Sequence, residues 1–163
     1  MTILEALKSR KCVRKYIDKE IPDNVLQKIF EAARWTPSSK NTQPWKIVVV
    51  SGQKKIDLMT NILQASHNRE KPRMDYEYDA EYIDAALEQR AIDCGKALYG
   101  ALNISRDDKV ARIKQWQKNY VSFNSPTAIF IFKYKDQGLS AYMDCGMLVQ
   151  SIMLAATDLG LAT

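Results

Sequence analysis

Apolar positions along the chain follow two different periods. Val25, Leu26, Ile29, Phe30 and Ala33 recur at three- and four-residue spacing behind Pro22 and Asp23, predicting an amphipathic helix that ends near Trp35. Thr2 followed by Glu5 is a capping-box pattern, and Ile3, Leu4 and Leu7 give an apolar stripe, predicting a short helix to about Ser9 or Arg10. Ile56, Met59, Ile62 and Leu63 predict a helix from Lys54 to about Ser66. Ile83, Leu87, Ala91, Cys94, Leu98 and Leu102 predict a long one from about Ala80 to Leu102. Val110, Ile113 and Trp116 put an apolar side on a helix beginning at Asp107. Two runs lack this spacing. "KIVVVS" reads as a buried strand, and Thr127 to Tyr134, behind Pro126, as a second strand.

The last segment, "YMDCGMLVQSIMLAATDLG", follows neither rule. Met143, Met147, Leu148, Val149, Ile152, Met153, Leu154, Ala155, Ala156 and Leu159 cover nearly every face. Such a helix is expected to be buried on all sides, in the core and in an oligomer interface together. It is too short, and too interrupted by Asp144, Gln150 and Asp158, to span a membrane. Many helices with two clear strands predict an α+β fold rather than a doubly wound one. The sequence contains no GxGxxG and no GxxxxGK[ST], so neither a Rossmann nucleotide site nor a P-loop is supported. No internal repeat is evident.

Size and composition set the frame for this pattern. The 163 residues suit one domain, 1–163, with a real core. The hydrophobic fraction of 46% and charged fraction of 26% are ordinary for a globular protein. "MTILEALKSRK" lacks the features of a signal peptide, so a cytoplasmic location is the default expectation. Cys12, Cys94 and Cys145 are scattered and odd in number, which argues against a disulfide framework or zinc site. His67 is the single histidine and lies in a charged stretch, a poor start for a Ser-His-Asp triad or a transition-metal centre.

Charge matters through its distribution. The net +5 is modest, but Lys8, Arg10, Lys11, Arg14 and Lys15 fall within eight positions. This cluster reads as a solvated basic face that suits a helix C-terminus, as a phosphate site, or as a nucleic-acid patch. The nucleic-acid reading ranks last, because no binding motif or interleaved aromatic accompanies the cluster. His67 to Tyr82, dense in charge and tyrosine, reads as an exposed loop or lid. "TPSSKNTQPW", Thr36 to Trp45, gathers uncharged hydrogen-bonding side chains between two prolines. It serves equally as a set of turns and caps before the strand, or as a binding loop.

Three segments together carry a resemblance. "SRKCVRKY" resembles the Arg-x-Ser-x-Arg-x-Phe/Tyr opening of the FMN-dependent nitroreductase family. "AARWTPSSKNTQPWKIVVV" resembles its "A…PSSxNxQPWxFxVV" segment, and "DCGMLVQSIMLAATDLGLAT" its "DxGxxxQNLxLAAxxLGLGT" helix. Order and spacing match too. The middle of the chain is similar, more weakly, to the branch called nitroreductases or nitrobenzoate reductases.

The resemblance implies a dimeric nitroreductase-like fold, with a central antiparallel-rich sheet flanked by helices. It also implies that the family domain continues past Thr163, through a further strand, another helix and an arm around the partner subunit. FMN is the implied cofactor. Arg10 and Lys11 match positions that meet its phosphate, where charged donors are needed. Cys12 stands where the family usually has Ser beside the ribityl chain, and a thiol is the weaker donor. Arg14 matches the position that stabilises negative charge on the reduced ring, an electrostatic tuner. Pro37, Ser38, Ser39, Asn41 and Gln43 match positions that reach the ring edge across the dimer.

No protein acid or base is implied as catalytic, and no metal. The implied activity is an NAD(P)H-dependent oxidoreductase that reduces nitroaromatics, quinones or similar acceptors by a ping-pong cycle, as a cytoplasmic homodimer. A catalytically silent flavin-binding or structural remnant is the alternative. Tyr76, Tyr78 and Tyr82 fit the mouth of such a site, or equally the surface of a polar loop.

Overall fold

The computed structural model describes residues 1–71 and 84–163. The expected tyrosine-rich mouth, most of the expected lid and the first residues of the predicted long helix lie outside the described residues. The chain divides into two compact units, Met1–Leu58 with Ser122–Thr163, and Met59–Val121.

The first unit is built around one antiparallel pair of strands. β1 (Trp45–Ser51) pairs with β2 (Thr127–Lys133) from Trp45 opposite Lys133 to Ser51 opposite Thr127. Three helices accompany them. α1 (Ile3–Ser9) starts in the predicted capping box: the Glu5 N–H donates to Thr2 Oγ1 and the Thr2 N–H to Glu5 Oε2. α2 (Asp23–Ala33) follows Pro22, and α6 (Ser140–Asp158) follows β2. Ile29 and Ala33 of α2 close on Leu148, Ile152 and Ala156 of α6, with Trp45, Ile47, Ile129 and Ile131 of the sheet packed against them. This is the core that the 3.6-residue spacing predicts.

One expectation about burial is met in part within a single chain, and one is corrected. α6 is buried along one stripe only: Ala141, Leu148, Ile152 and Ala156 are covered, while Met143 is 74% exposed and Met147, Val149 and Leu159 also face solvent. Among the described residues the main partners of α6 are α1, α2, β2 and the turn before β1, which leave one face of the helix open. β1 is half-buried rather than buried, with Val48 and Val49 exposed, because a two-stranded sheet leaves each strand an open edge.

Glycines end two elements where the backbone turns left-handed. Gly52 (φ +55) starts α3 (Gly52–His67) directly from β1. Gly160 (φ +74) ends α6 in a Schellman arrangement, with the Leu161 N–H donating to Ala156 O and the Gly160 N–H to Thr157 O. That turn sends the chain back toward its start, where the Val13 N–H donates to Thr163 O at 3.0 Å.

The second unit takes in the later turns of α3, with α4 (Ala85–Ala101) and α5 (Lys109–Gln117). α5 starts two residues later than expected. Asp108, not Asp107, caps it, its Oδ1 accepting from the Ala111 N–H at 2.9 Å. The predicted stripe of Val110, Ile113 and Trp116 is exposed. Among the described residues no helix is long and apolar enough to cross a membrane.

Candidate functional site

The basic segment leaves α1 at Arg10, whose extended backbone (φ −58, ψ 128) ends the helix. Arg10 turns back on the segment, and its guanidinium donates to Cys12 Sγ at 3.6 Å. Arg14 lies over the ring of Phe123, 5.9 Å from its centroid. The Tyr16 hydroxyl donates to Val13 O at 2.9 Å, and burial pushes its phenol pKa up. Lys11, Cys12 and Arg14 are exposed and Arg10 is partly covered. Among the described residues no acid pairs with Arg10, Lys11 or Arg14. Their charges are therefore available to an anion.

The loop between α2 and β1 is unusual in its backbone. Lys40 (φ +52), Asn41 (φ +55) and Gln43 (φ +47) are all left-handed. Asn accepts this conformation readily, but Lys and Gln do so at a cost of about 1–2 kcal/mol each. The loop holds this shape with its own bonds. Ser38 Oγ accepts from the Gln43 N–H at 2.9 Å, and Gln43 Nε2 donates to Asn41 Oδ1 at 3.0 Å. The Asn41 N–H donates to Ser38 O at 3.0 Å. Pro37, Ser39, Asn41 and Gln43 remain exposed and Ser38 is half-buried. The loop is attached to α6 by Asp144, whose oxygens accept from the Ser39 N–H at 3.2 and 3.3 Å.

The structure brings together Arg10 with Cys12, and Ser38 with Asn41 and Gln43, but places the two groups apart on α6. The loop is tied at Asp144, near the start of α6, while the Val13 N–H, inside the basic segment, donates to Thr163 O at 3.0 Å, beyond the end of that helix. A cavity of about 400 Å³ lies beside β2 and α6, lined mainly by apolar side chains such as Ile29, Ile131, Val149 and Met153. None of the nine predicted site residues lines it. Seven of the nine are exposed, and Arg10 and Ser38 are partly covered.

Two participants escape a reading of the sequence. Asp144 heads the "DCGMLVQS" segment and interrupts an apolar helix, but neither signal gives it a role. Phe123 sits in a run of three left-handed residues, Ser122, Phe123 and Asn124, and nothing in "SFN" announces such a turn.

The chemistry of the donor set fits a ligand with an anionic group and a neutral, amide-like edge. Unpaired cations suit the first, and exposed uncharged donors and acceptors the second.

Comparison with known proteins bears on the same residues. A family profile described as Nitroreductase family matches residues 7–163. Nitroreductase NfnB from Mycolicibacterium smegmatis is 31% identical over 157 residues, covering 96% of this chain and 67% of that protein. A 4-nitrobenzoate reductase from Nocardioides sp. is 30% identical, covering 96% and 65% respectively. The crystal structure of the FMN-dependent nitroreductase NfnB from Mycobacterium smegmatis, in complex with NADPH, superposes with a TM-score of 0.91 at 30% identity. It is matched over 98% of this chain and 71% of that one. The FMN and NADPH-dependent NfnB from sphigopyxis sp. strain HMH gives the same TM-score at 33% identity, over 99% and 73%. The chain spans about two thirds of the length of the curated relatives it matches.

Proposed function

The chain belongs to the nitroreductase family, and from that premise we propose that it is an FMN-binding, NAD(P)H-dependent oxidoreductase of nitroaromatic, quinone or similar acceptors. Its relatives NfnB and the 4-nitrobenzoate reductase support the reaction class. The continuous match over residues 7–163 supports reading both compact units as one domain. Three thiols free of disulfides are in keeping with a cytoplasmic setting.

FMN, when bound, supplies the redox chemistry, taking electrons from the reduced nicotinamide and passing them to the acceptor in a ping-pong cycle. The protein's part is to hold and tune. Arg10 and Lys11 are assigned the phosphate, since among the described residues they have no competing acid. Cys12, already engaged by Arg10, is assigned the ribityl chain. Arg14 is assigned the ring edge that becomes negative on reduction, where a fixed cation favours the reduced form. Phe123 limits where that guanidinium can go. Pro37, Ser38, Ser39, Asn41 and Gln43 offer neutral partners, in a backbone already ordered before a ligand arrives.

The observation that carries this reading is the division of the site along α6. The neutral loop is tied near the start of α6 through Asp144, while the Val13 N–H of the basic segment donates to Thr163 O, beyond the end of that helix. Two copies related by a two-fold axis can bring the loop of one chain to the basic segment of the other. The working form is therefore a homodimer. Equilibrium dialysis against FMN with sedimentation of the same sample tests this. The expected result is one FMN per chain, held by a dimer. A monomer that holds FMN tightly would contradict the shared site. FMN held without reduction by either nicotinamide would favour a catalytically silent flavin binder.

A further inference from the structure

We propose that Asp144 is the positioning residue of the flavin site: it holds the Ser38–Gln43 loop in its left-handed form through the Ser39 N–H. The inference rests on reading that loop as the flavin-edge loop.

Asp144 is 4% exposed, and the other buried positions of α6 are Ala141, Leu148, Ile152 and Ala156. A carboxylate among apolar neighbours is costly to bury unless something offsets the loss of water. Here the offset includes one backbone N–H, shared between both oxygens at 3.2 and 3.3 Å, from a residue 105 positions away in sequence. A hydrogen bond to a charged acceptor is roughly twice as strong as a neutral one. The acid and the loop are thus coupled. If the loop leaves, the charge loses its donor, and if the charge is removed, the loop loses its tether.

The loop needs such a tether. Lys40, Asn41 and Gln43 are left-handed, and conformations of this kind persist only where the surroundings impose them. The bonds among Ser38, Asn41 and Gln43 fix the internal shape of the loop, but not its place on the protein. Asp144 fixes the place, since Ser39 is the first residue of the tight turn over Ser39–Asn41. Binding constellations tolerate displacements of only about 0.5 Å, so a tether at the head of the turn sets where Ser39, Asn41 and Gln43 present their side chains.

The test uses the full chain as wild type, Asp144→Ala and Asp144→Asn. Two quantities are read: hydrogen exchange at Ser39 without FMN, and FMN affinity from quenching of flavin fluorescence. Asn keeps a neutral acceptor of nearly the same shape and is the variant that folds if Ala does not. In Asp144→Ala, Ser39 should exchange about tenfold faster and FMN should bind about tenfold more weakly, while amides in α2 keep their protection. Asp144→Asn should fall between, in both quantities. Ser39 exchange that does not change in either variant would overturn the tether. Faster exchange with unchanged FMN affinity would overturn the positioning role, since a merely structural bond predicts that outcome. If wild type binds no FMN, the flavin reading fails instead, and Ser39 exchange alone decides whether Asp144 holds the loop.

Discussion

Arg14 carries its charge over an aromatic ring with no described acid to neutralise it, so its field is free to act on a ligand. Arg14→Ala should slow reduction of bound flavin by NAD(P)H on the order of tenfold, with a smaller effect on FMN affinity. Stopped-flow traces that match wild type would remove the role assigned to it. A second prediction concerns the thiols. Burial pushes the Cys145 thiol pKa up, Asp144 adds to the rise and Lys133 opposes it. A raised pKa leaves less thiolate at any given pH, and thiolate is the reactive form. At mildly alkaline pH, mass spectrometry after alkylation should find exposed Cys12 and Cys94 labelled first, with Cys145 following only at higher pH. Equal rates at all three would contradict the burial of Cys145. At this scale candidates were legible wherever residue type alone suggests the chemistry, as with the cations of the basic segment and the amides of the loop. Asp144 and Phe123 were not, because their roles depend on partners 105 and 109 positions away, Ser39 and Arg14.

Helices announced themselves where one face meets a core. α2 follows the spacing read from the sequence, α6 buries one stripe of an all-round apolar pattern, and Thr2 with Glu5 forms the capping box expected of it. α5 shows the limit. Adjacent Asp107 and Asp108 are equivalent caps by type, and only the bond from the Ala111 N–H to Asp108 distinguishes them. Burial was harder to read than helicity, since an apolar run records what an element prefers and not how many neighbours surround it. The end of α6 offers a clean test at this scale. A Cβ at Gly160 would meet nothing within 4 Å, so Gly160→Ala should cost only the left-handed backbone, about 1 kcal/mol. Denaturant unfolding should show a lower midpoint with unchanged slope, and an unchanged midpoint would mean that the Schellman turn contributes little.

Taken whole, the first unit shows solvent more apolar surface than its core accounts for. Ile3, Leu4 and Leu7 of α1 and Met143, Met147 and Val149 of α6 are exposed. Faces of this kind mark surfaces that another body covers. For the proposed homodimer, Met143→Glu should shift sedimentation toward the monomer and weaken FMN binding with it. At 74% exposure the same change should alter the unfolding of an isolated chain by no more than about 0.5 kcal/mol. Loss of association without loss of FMN would separate the interface from the site. The exposed apolar face of α6 was legible in the all-round apolar pattern of that helix. The separation of loop and basic segment along it was not, because distance within a fold leaves no mark in linear order.

The central claim is that this chain binds FMN and passes electrons through it, and the visible spectrum during an anaerobic titration with NADPH and NADH tests it most directly. The account predicts a yellow protein, as isolated or after incubation with FMN, whose flavin bands bleach with one of the two nicotinamides and return when a nitroaromatic or quinone is added. A chain that stays colourless after incubation with FMN would contradict it.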